Sequence, residues 1–236
     1  MTGQDRAEVG ADPVEVLRIG WRRARSFNVL NPGARSWTGV LIAPWVWPLD
    51  TLVVAVTSGN LRRRAGASMT LTGATSPPIQ RPALLAALAL MVGYLAVMLA
   101  VAVPLALALV GPLSSGWAAV VALAIVCGPM LVELAVRVLR LLFSPQVRSL
   151  PARRRELAAA TGAPVFVMSS LVRSNREGEG SRLLQVLREE WQATGAVVLL
   201  NPANEAVADY YAAHGAVPDG ADRQVMRFDY RAAITV

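Results

Sequence analysis

Residues 82–132 read PALLAALAL-MVGYLAVMLA-VAVPLALALV-GPLSSGWAAV-VALAIVCGPM-LV, 51 consecutive positions without a charged side chain. One membrane-spanning helix needs about 20 apolar residues, so the run is long enough for two. It divides at Gly111-Pro112-Leu113-Ser114-Ser115-Gly116, a turn rich in helix breakers. The first arm, about 83–110, contains Pro104, a kink that membrane helices tolerate better than soluble ones. The second arm is about 117–139. Helices that are apolar all round have no polar face to turn to water. The spacing therefore predicts a two-helix transmembrane hairpin within residues 81–143.

The flanks set its orientation. Arg62, Arg63, Arg64 and Arg81 precede the hairpin; Arg137, Arg140, Arg148, Arg153, Arg154 and Arg155 follow it; the turn carries no charge. Basic residues gather on the cytoplasmic side of a membrane protein. Both ends of the hairpin, and both termini, are thus expected in the cytoplasm, in a multi-pass protein of the cell's inner membrane. The apolar run starts far from Met1 and lacks a cleavage pattern, so it is not a secretory signal. Glu133 is an acid within the second span, a functional candidate by position. Arg137 lies four residues on along the same helical face and is expected to pair with it.

The whole chain agrees with this division. Of 236 residues, 54% are hydrophobic and 17% charged, and the mean hydropathy is +0.44. That balance excludes disorder along the whole chain. All 23 basic residues are Arg, and the net charge is +7. A charge of this sign suits nucleic acid or an anionic membrane face; in a chain with a membrane hairpin the lipid bilayer is the expected partner, and nucleic acid is not. Cys127 is the sole cysteine and His214 the sole histidine, so neither a disulfide nor a zinc site of the usual kind is expected.

The N-terminal third mixes signals. Residues 1–36 read as a disordered tip and a basic amphipathic helix at about 13–27. That helix places Val14, Val16, Leu17 and Trp21 on one side and Arg18, Arg22, Arg23 and Arg25 on the other. It suits an anionic membrane surface or a face of the protein itself. Within residues 37–80, the apolar stretch 37–57 is interrupted by Pro44, Pro48 and Asp50. It reads as two strands (38–42 and 51–57) or as a re-entrant segment. A short strand at 68–72 and a proline-rich linker follow.

Residues 144–236 are polar and periodic. Helices are predicted at 152–161, 181–194 and 204–214, with strands at 164–171, 196–200 and 223–230. Strands alternating with helices argue for an α/β domain. Between the first strand and the second helix lies Arg173-Ser174-Asn175-Arg176-Glu177-Gly178-Glu179-Gly180-Ser181. Glycines let a backbone approach a ligand closely. The first N–H groups of the helix that follows lack internal partners and sit at its positive end. Strand, glycine-spaced loop and helix together suit an anion such as phosphate.

Residues 165–230 resemble the C-terminal half of the GCN5-related N-acetyltransferase (GNAT) family. The family's pyrophosphate loop is Arg/Gln-x-x-Gly-x-Gly/Ala at a helix start; here Asn175 to Gly180 keeps both glycines. A later family pattern, Asn-x-x-x-x-x-x-Tyr-x-x-x-Gly-Phe, finds Asn204, Tyr211 and Gly215 at the same spacing. The chain departs at Asn175, at Glu179, where the family has an apolar residue, and at Ala216, where it has Phe.

The resemblance implies a GNAT-like acyl-CoA-binding domain, with acetyl-CoA as co-substrate and no metal. Met168 and Ser170 would offer strand backbone groups to the pantetheine arm. Arg176, Gly178, Gly180 and Ser181 would hold the pyrophosphate through backbone N–H groups, and Asn204 would touch the cofactor arm. Tyr211 would protonate the departing thiolate as the catalytic acid. Glu177 and Glu179 are local candidates for a base. His214, at a helix C-terminus, is expected to cap it. A full family domain has strands before its cofactor strand. Residues 13–80 would supply them, the hairpin being an insertion, or a truncated half would bind cofactor as a homodimer. The implied function is a membrane-anchored acyltransferase moving an acetyl group from acetyl-CoA to an amine at the cytoplasmic face. The alternative is a tethered, non-catalytic acyl-CoA-binding or protein-interaction module.

Overall fold

The computed structural model describes residues 7–28, 31–32, 37–64, 67–73, 78–110, 112, 114–172, 178–202, 204–220 and 224–231. In chain order they form β1 (Glu8–Val9), α1 (Pro13–Ser26), β2 (Phe27–Asn28), β3 (Asn31–Pro32), α2 (Trp37–Val56), β4 (Leu61–Arg64), β5 (Ala67–Thr72), α3 (Arg81–Leu109) and α4 (Ser115–Phe143). Then come α5 (Pro145–Thr161), β6 (Val165–Val172), α6 (Glu179–Thr194), β7 (Val197–Leu200), α7 (Glu205–Ala213), β8 (Val217–Pro218) and β9 (Met226–Asp229). The fold is mixed α/β with two long apolar helices, and it divides into a sheet unit (1–12, 56–80, 141–236) and a helical unit (13–55, 81–140).

The sheet unit holds seven strands in the order β1-β4-β5-β6-β7-β9-β8. Only β6 and β7 run parallel; the other neighbours are antiparallel. Alternation along the strands sorts side chains to two faces. Met168, Val198 and Leu200 join Leu183, Leu187 and Trp191 of α6 and Tyr211 of α7 in one core. Val165, Val197 and Leu199 meet Leu150 and Leu157 of α5 on the other. Leu183, Leu187, Leu199 and Leu200 are completely covered, and each such burial stabilises by about 1.5–3 kcal/mol. At the rim, Asp219 accepts from Arg153 Nε at 2.8 Å and from Arg227 at 3.0 Å. Hydrogen bonding to Arg153 is the main reason the Asp219 carboxyl is held below its ordinary range.

Strands from before the hairpin complete this sheet. β4 and β5 lie between β1 and β6, so α1 and α2 interrupt the sheet between β1 and β4, and α3 and α4 interrupt it between β5 and β6. Arg62 and Arg63, read from sequence as a membrane flank, are strand residues paired with Val9 and Glu8. Residues 7–12, read as part of a disordered tip, belong to the sheet unit too: Ala7 is in its core, and the Gly10 N–H donates to the Leu61 carbonyl. Residues 1–6 lie outside the described residues.

In the helical unit, two helices are long and apolar enough to cross a membrane, Arg81–Leu109 and Ser115–Leu139. Most of their large side chains face outward, Leu85, Val92, Leu107, Val120 and Leu131 among them. The reading of 38–42 and 51–57 as strands is corrected: both lie inside α2, with Pro44 and Pro48 within the helix. Tertiary bonds brace it through the breakers. The Trp47 indole donates to the Leu17 carbonyl at 3.0 Å, and the Trp45 indole to the Val126 carbonyl at 2.9 Å. Val126 lies in the turn before Pro129, where the proline ring disturbs the helix ladder. Gly20 lets α1 lie directly on α2, since a Cβ there would come within 2.2 Å of Thr51 Oγ1.

The predicted amphipathic helix is α1, but its faces differ from the sequence reading. Val16, Ile19, Gly20 and Ala24 are its buried side, whereas Val14 is exposed. Arg23 turns inward, its Nε donating to Asp50 at 2.8 Å. Asp50 is wholly buried and is also held by Arg137, at 2.9 and 3.0 Å. Arg137 in turn reaches Glu133 at 2.7 Å. The expected Glu133–Arg137 pair is therefore part of a network that joins α1, α2 and α4.

Candidate functional site

The strand assigned to the pantetheine arm has an irregular end. β6 pairs in parallel with β7 from Val165↔Val197 to Met168↔Leu200, and no further. It then continues to Val172, four residues beyond that last pair. On its other edge, Thr70 pairs with Ser169 and Ser68 with Val172, so β6 carries one residue more than β5 in this stretch. Such a bulge bends the strand and frees backbone groups from the ladder. Ser170 lies inside it. Met168 lies just before it, its backbone paired on both sides and its side chain in the core.

Beside this end stands the start of α6. Gly178 has φ +81°, a left-handed conformation that a side chain would strain, and it N-caps the helix with no side-chain cap. Gly180 is buried: a Cβ there would meet the Tyr210 hydroxyl at 3.3 Å and Leu171 Cδ2 at 3.6 Å. Ser181 Oγ lies 3.2 Å from the same Tyr210 hydroxyl. The two loop glycines, Ser181, Leu171 and Tyr210 thus come together at a helix N-terminus. Glu179 is also buried there, with its carboxylate in the first turn, where the helix dipole favours negative charge. Asn175, Arg176 and Glu177 lie outside the described residues.

The later motif is divided between roles. Asn204, assigned to the cofactor arm, N-caps α7: its Oδ1 accepts from the Val207 N–H at 2.9 Å. Tyr211 is buried against Phe228 at 6.4 Å and edge-on to Tyr210 at 5.4 Å. Burial, and then the neighbouring Tyr210, raise its pKa above the ordinary tyrosine value. It stays protonated at neutral pH, as an unshifted tyrosine would, and the upward shift makes it a weaker acid. Successive helix residues point about 100° apart, so Tyr210, not Tyr211, delivers its hydroxyl to Gly180 and Ser181. Sequence reading passed over Tyr210; the signal available was its position four residues before His214. The His214 ring packs against Tyr210, centroids 4.4 Å apart and tilted by 41°, and its Nδ1 lies 2.7 Å from the Tyr210 carbonyl. His214 is also the C-cap of α7.

Among the described residues, no group of three His, Cys, Asp or Glu side chains could hold a metal. No family model matches the chain, and no curated protein or solved structure matches it.

Proposed function

We propose that the chain is a membrane-anchored acyl-CoA-dependent N-acyltransferase of GNAT type, acting on an amine at the cytoplasmic face of the inner membrane. The observation that carries this reading is the bulged, overrunning end of β6 beside the glycine-spaced N-terminus of α6. Backbone groups left outside a ladder seek partners, and an extended amide-bearing arm such as pantetheine supplies them. The first N–H groups of α6 suit a pyrophosphate. Strands ahead of the cofactor strand, which a full family domain has, are present as β1, β4 and β5. In this reading the bulge at Ser170 also offers an N–H to the oxyanion forming at the thioester carbonyl. The acceptor nitrogen bonds to the acetyl carbon as the C–S bond breaks; Tyr211 gives its proton to the departing CoA thiolate, and the proton shed by the nitrogen restores the Tyr211 hydroxyl.

Calorimetric titration of the detergent-purified chain with acetyl-CoA tests the assignment. The wild type is expected to bind, and Gly180→Asp, which sets a carboxylate beside the phosphates, to lose binding in protein that still folds, at some cost in thermal stability because its Cβ meets the Tyr210 hydroxyl at 3.3 Å. Equal affinity in a folded Gly180→Asp protein removes the cofactor site. For the chemistry, Tyr211→Phe should lower turnover by about 10²–10⁴-fold and leave acetyl-CoA affinity almost unchanged.

The buried Glu179 favours a second reading, a non-catalytic module, because it puts an acid in the first turn of α6, where a pyrophosphate would bind. Turnover separates the two: acetylation of an amine by the wild type or by Glu179→Gln supports the enzyme, whereas a rise in acetyl-CoA affinity alone does not. No binding in either protein, or binding without turnover over a broad amine panel, supports the module.

A further inference from the structure

One cleft of the sheet unit lies outside the groups proposed for acetyl-CoA, Ser181 excepted. It has a volume of about 270 Å³ and lies between α6, the C-terminal end of α7 and the end of β9. On α6, Ser181, Leu184, Gln185 and Arg188 fall at i, i+3, i+4 and i+7, so they share one helical face. Along β9 alternate side chains face one side. The Tyr230 N–H carries the pairing past Asp229 by donating to the Ala196 carbonyl at 3.1 Å. Phe228 and Tyr230 therefore turn to the cleft, and Arg227 and Asp229 turn away from it.

The cleft has an aromatic floor. Trp191 and Phe228 are buried, with ring centroids 5.9 Å apart. The Tyr230 ring lies 6.1 Å from Trp191 and is stacked on Phe228 at 6.2 Å. Such a surface accepts one more ring, offset or edge-on. The charge above it has one sign. Arg188 lines the cleft, and among the described residues it forms no ion pair. No Asp or Glu is among the lining residues. Burial raises the pKa of the Tyr230 hydroxyl and the Arg188 charge opposes the rise, so the guanidinium acts on the same end of the cleft. His214 spends its Nδ1–H on the Tyr210 carbonyl, which can only accept, and Nε2 is its remaining polar atom.

A guanidinium without an acid partner takes a carboxylate through two parallel N–H bonds. One such cation matches one negative charge, which a carboxylate carries and a phosphate dianion exceeds. The volume is just under the roughly 300–1,000 Å³ of sites for drug-sized ligands, so it suits a single ring with its acid group and not a coenzyme.

We propose that this cleft binds a small aromatic carboxylate, its acid on Arg188 and its ring on Trp191, Phe228 and Tyr230. Ser181, Gln185 and the Tyr230 hydroxyl bring hydrogen-bonding groups to the rim. The site stands whether or not the chain binds acetyl-CoA.

Calorimetric titration of the full chain in detergent, with benzoate as the probe, tests it. Acetate, inorganic phosphate and benzyl alcohol are the comparison ligands, each lacking the ring or the carboxylate. Arg188→Gln and Ala213→Trp are the comparison proteins. Both positions are exposed, so both variants should unfold at the wild-type temperature; Ala213 lines the cleft, and a tryptophan there fills it. Benzoate should saturate the wild type and bind about tenfold or more tightly than each comparison ligand. Arg188→Gln should weaken benzoate by about tenfold or more, the loss of a charge-assisted pair, and Ala213→Trp should abolish its binding. Failure of benzoate to saturate the wild type overturns the proposal. So does acetate or phosphate binding as tightly, which leaves the rings no role, or benzyl alcohol binding as tightly, which leaves Arg188 none. Unchanged benzoate affinity in either folded variant places the binding elsewhere and overturns it as well.

Discussion

The sheet unit and the helical unit bury charge alike and apolar side chains differently. In the sheet unit the Asp219 side chain is 2% exposed, beneath Arg153 and Arg227 at 37% and 29%. In the helical unit Asp50 is wholly buried, beneath Arg23 and Arg137 at 20% and 25%. The sheet unit is held mainly by apolar side chains on its two faces, with the ion pairs as trim. In the helical unit the two long helices turn most of their large apolar side chains outward, while Val16, Ile19 and Val46 of α1 and α2 are buried beside one charge network. Leucine on a helix surface stabilises only in the solvent that surrounds it, and in lipid the helices gain little by burying it against each other. Polar ties therefore carry more of the specificity there.

This contrast can be broken most sharply at Arg137. Arg137→Leu leaves Asp50 with Arg23 alone and Glu133 without its helical neighbour. Removing one member of a buried network costs about 3–5 kcal/mol; a large fall in the unfolding temperature in detergent is the expected result. The double change Asp50→Leu with Arg137→Leu should be worse than the single, because it also takes from Arg23 the carboxylate that the single leaves it. A double variant milder than the single would show that Arg23 does not depend on Asp50.

Leu187→Ala is the matching change in the sheet unit. It opens a cavity in a fully covered core and should cost about 2–5 kcal/mol, read by denaturant midpoint. A loss below 1 kcal/mol would mean that α6 collapses onto the gap and that the core is looser than its burial implies.

Asp219 should give a smaller and pH-dependent effect. Its pKa is lower in the folded chain than its ordinary value, so its contribution is present above the unfolded value and is lost as pH falls through the folded one. Asp219→Asn should remove about 1–3 kcal/mol at neutral pH and flatten the acid limb of the stability profile. An acid limb identical in both proteins would assign that limb to other carboxylates.

The smallest effect is expected at Trp45. Trp45→Phe keeps most of the ring and loses the bond to the Val126 carbonyl, about 0.5–1.5 kcal/mol. A loss well above that range, measured in the same detergent assay, would show that the disturbed turn before Pro129 depends on this indole for more than one hydrogen bond.

The sequence by itself determined the parts whose signals are local. A 51-residue run without charge announces two apolar helices. Alternation and period mark β6, α6, β7 and α7 to within a few residues, and the i, i+4 spacing of Glu133 and Arg137 gives their pair. Only the tertiary structure decided the rest. Pro44, Pro48 and Asp50 broke the pattern of α2 in sequence, and their helix exists because Trp45, Trp47 and the arginines of α1 and α4 brace it from a distance. Two-residue β1 carries no periodicity, and it is a strand because Arg62 and Arg63 lie beside it. Tyr210 and Tyr211 are adjacent letters of the same kind. Which of them meets Ser181 depends on how α7 is turned against α6, a packing choice that pairwise spacing along the chain does not record.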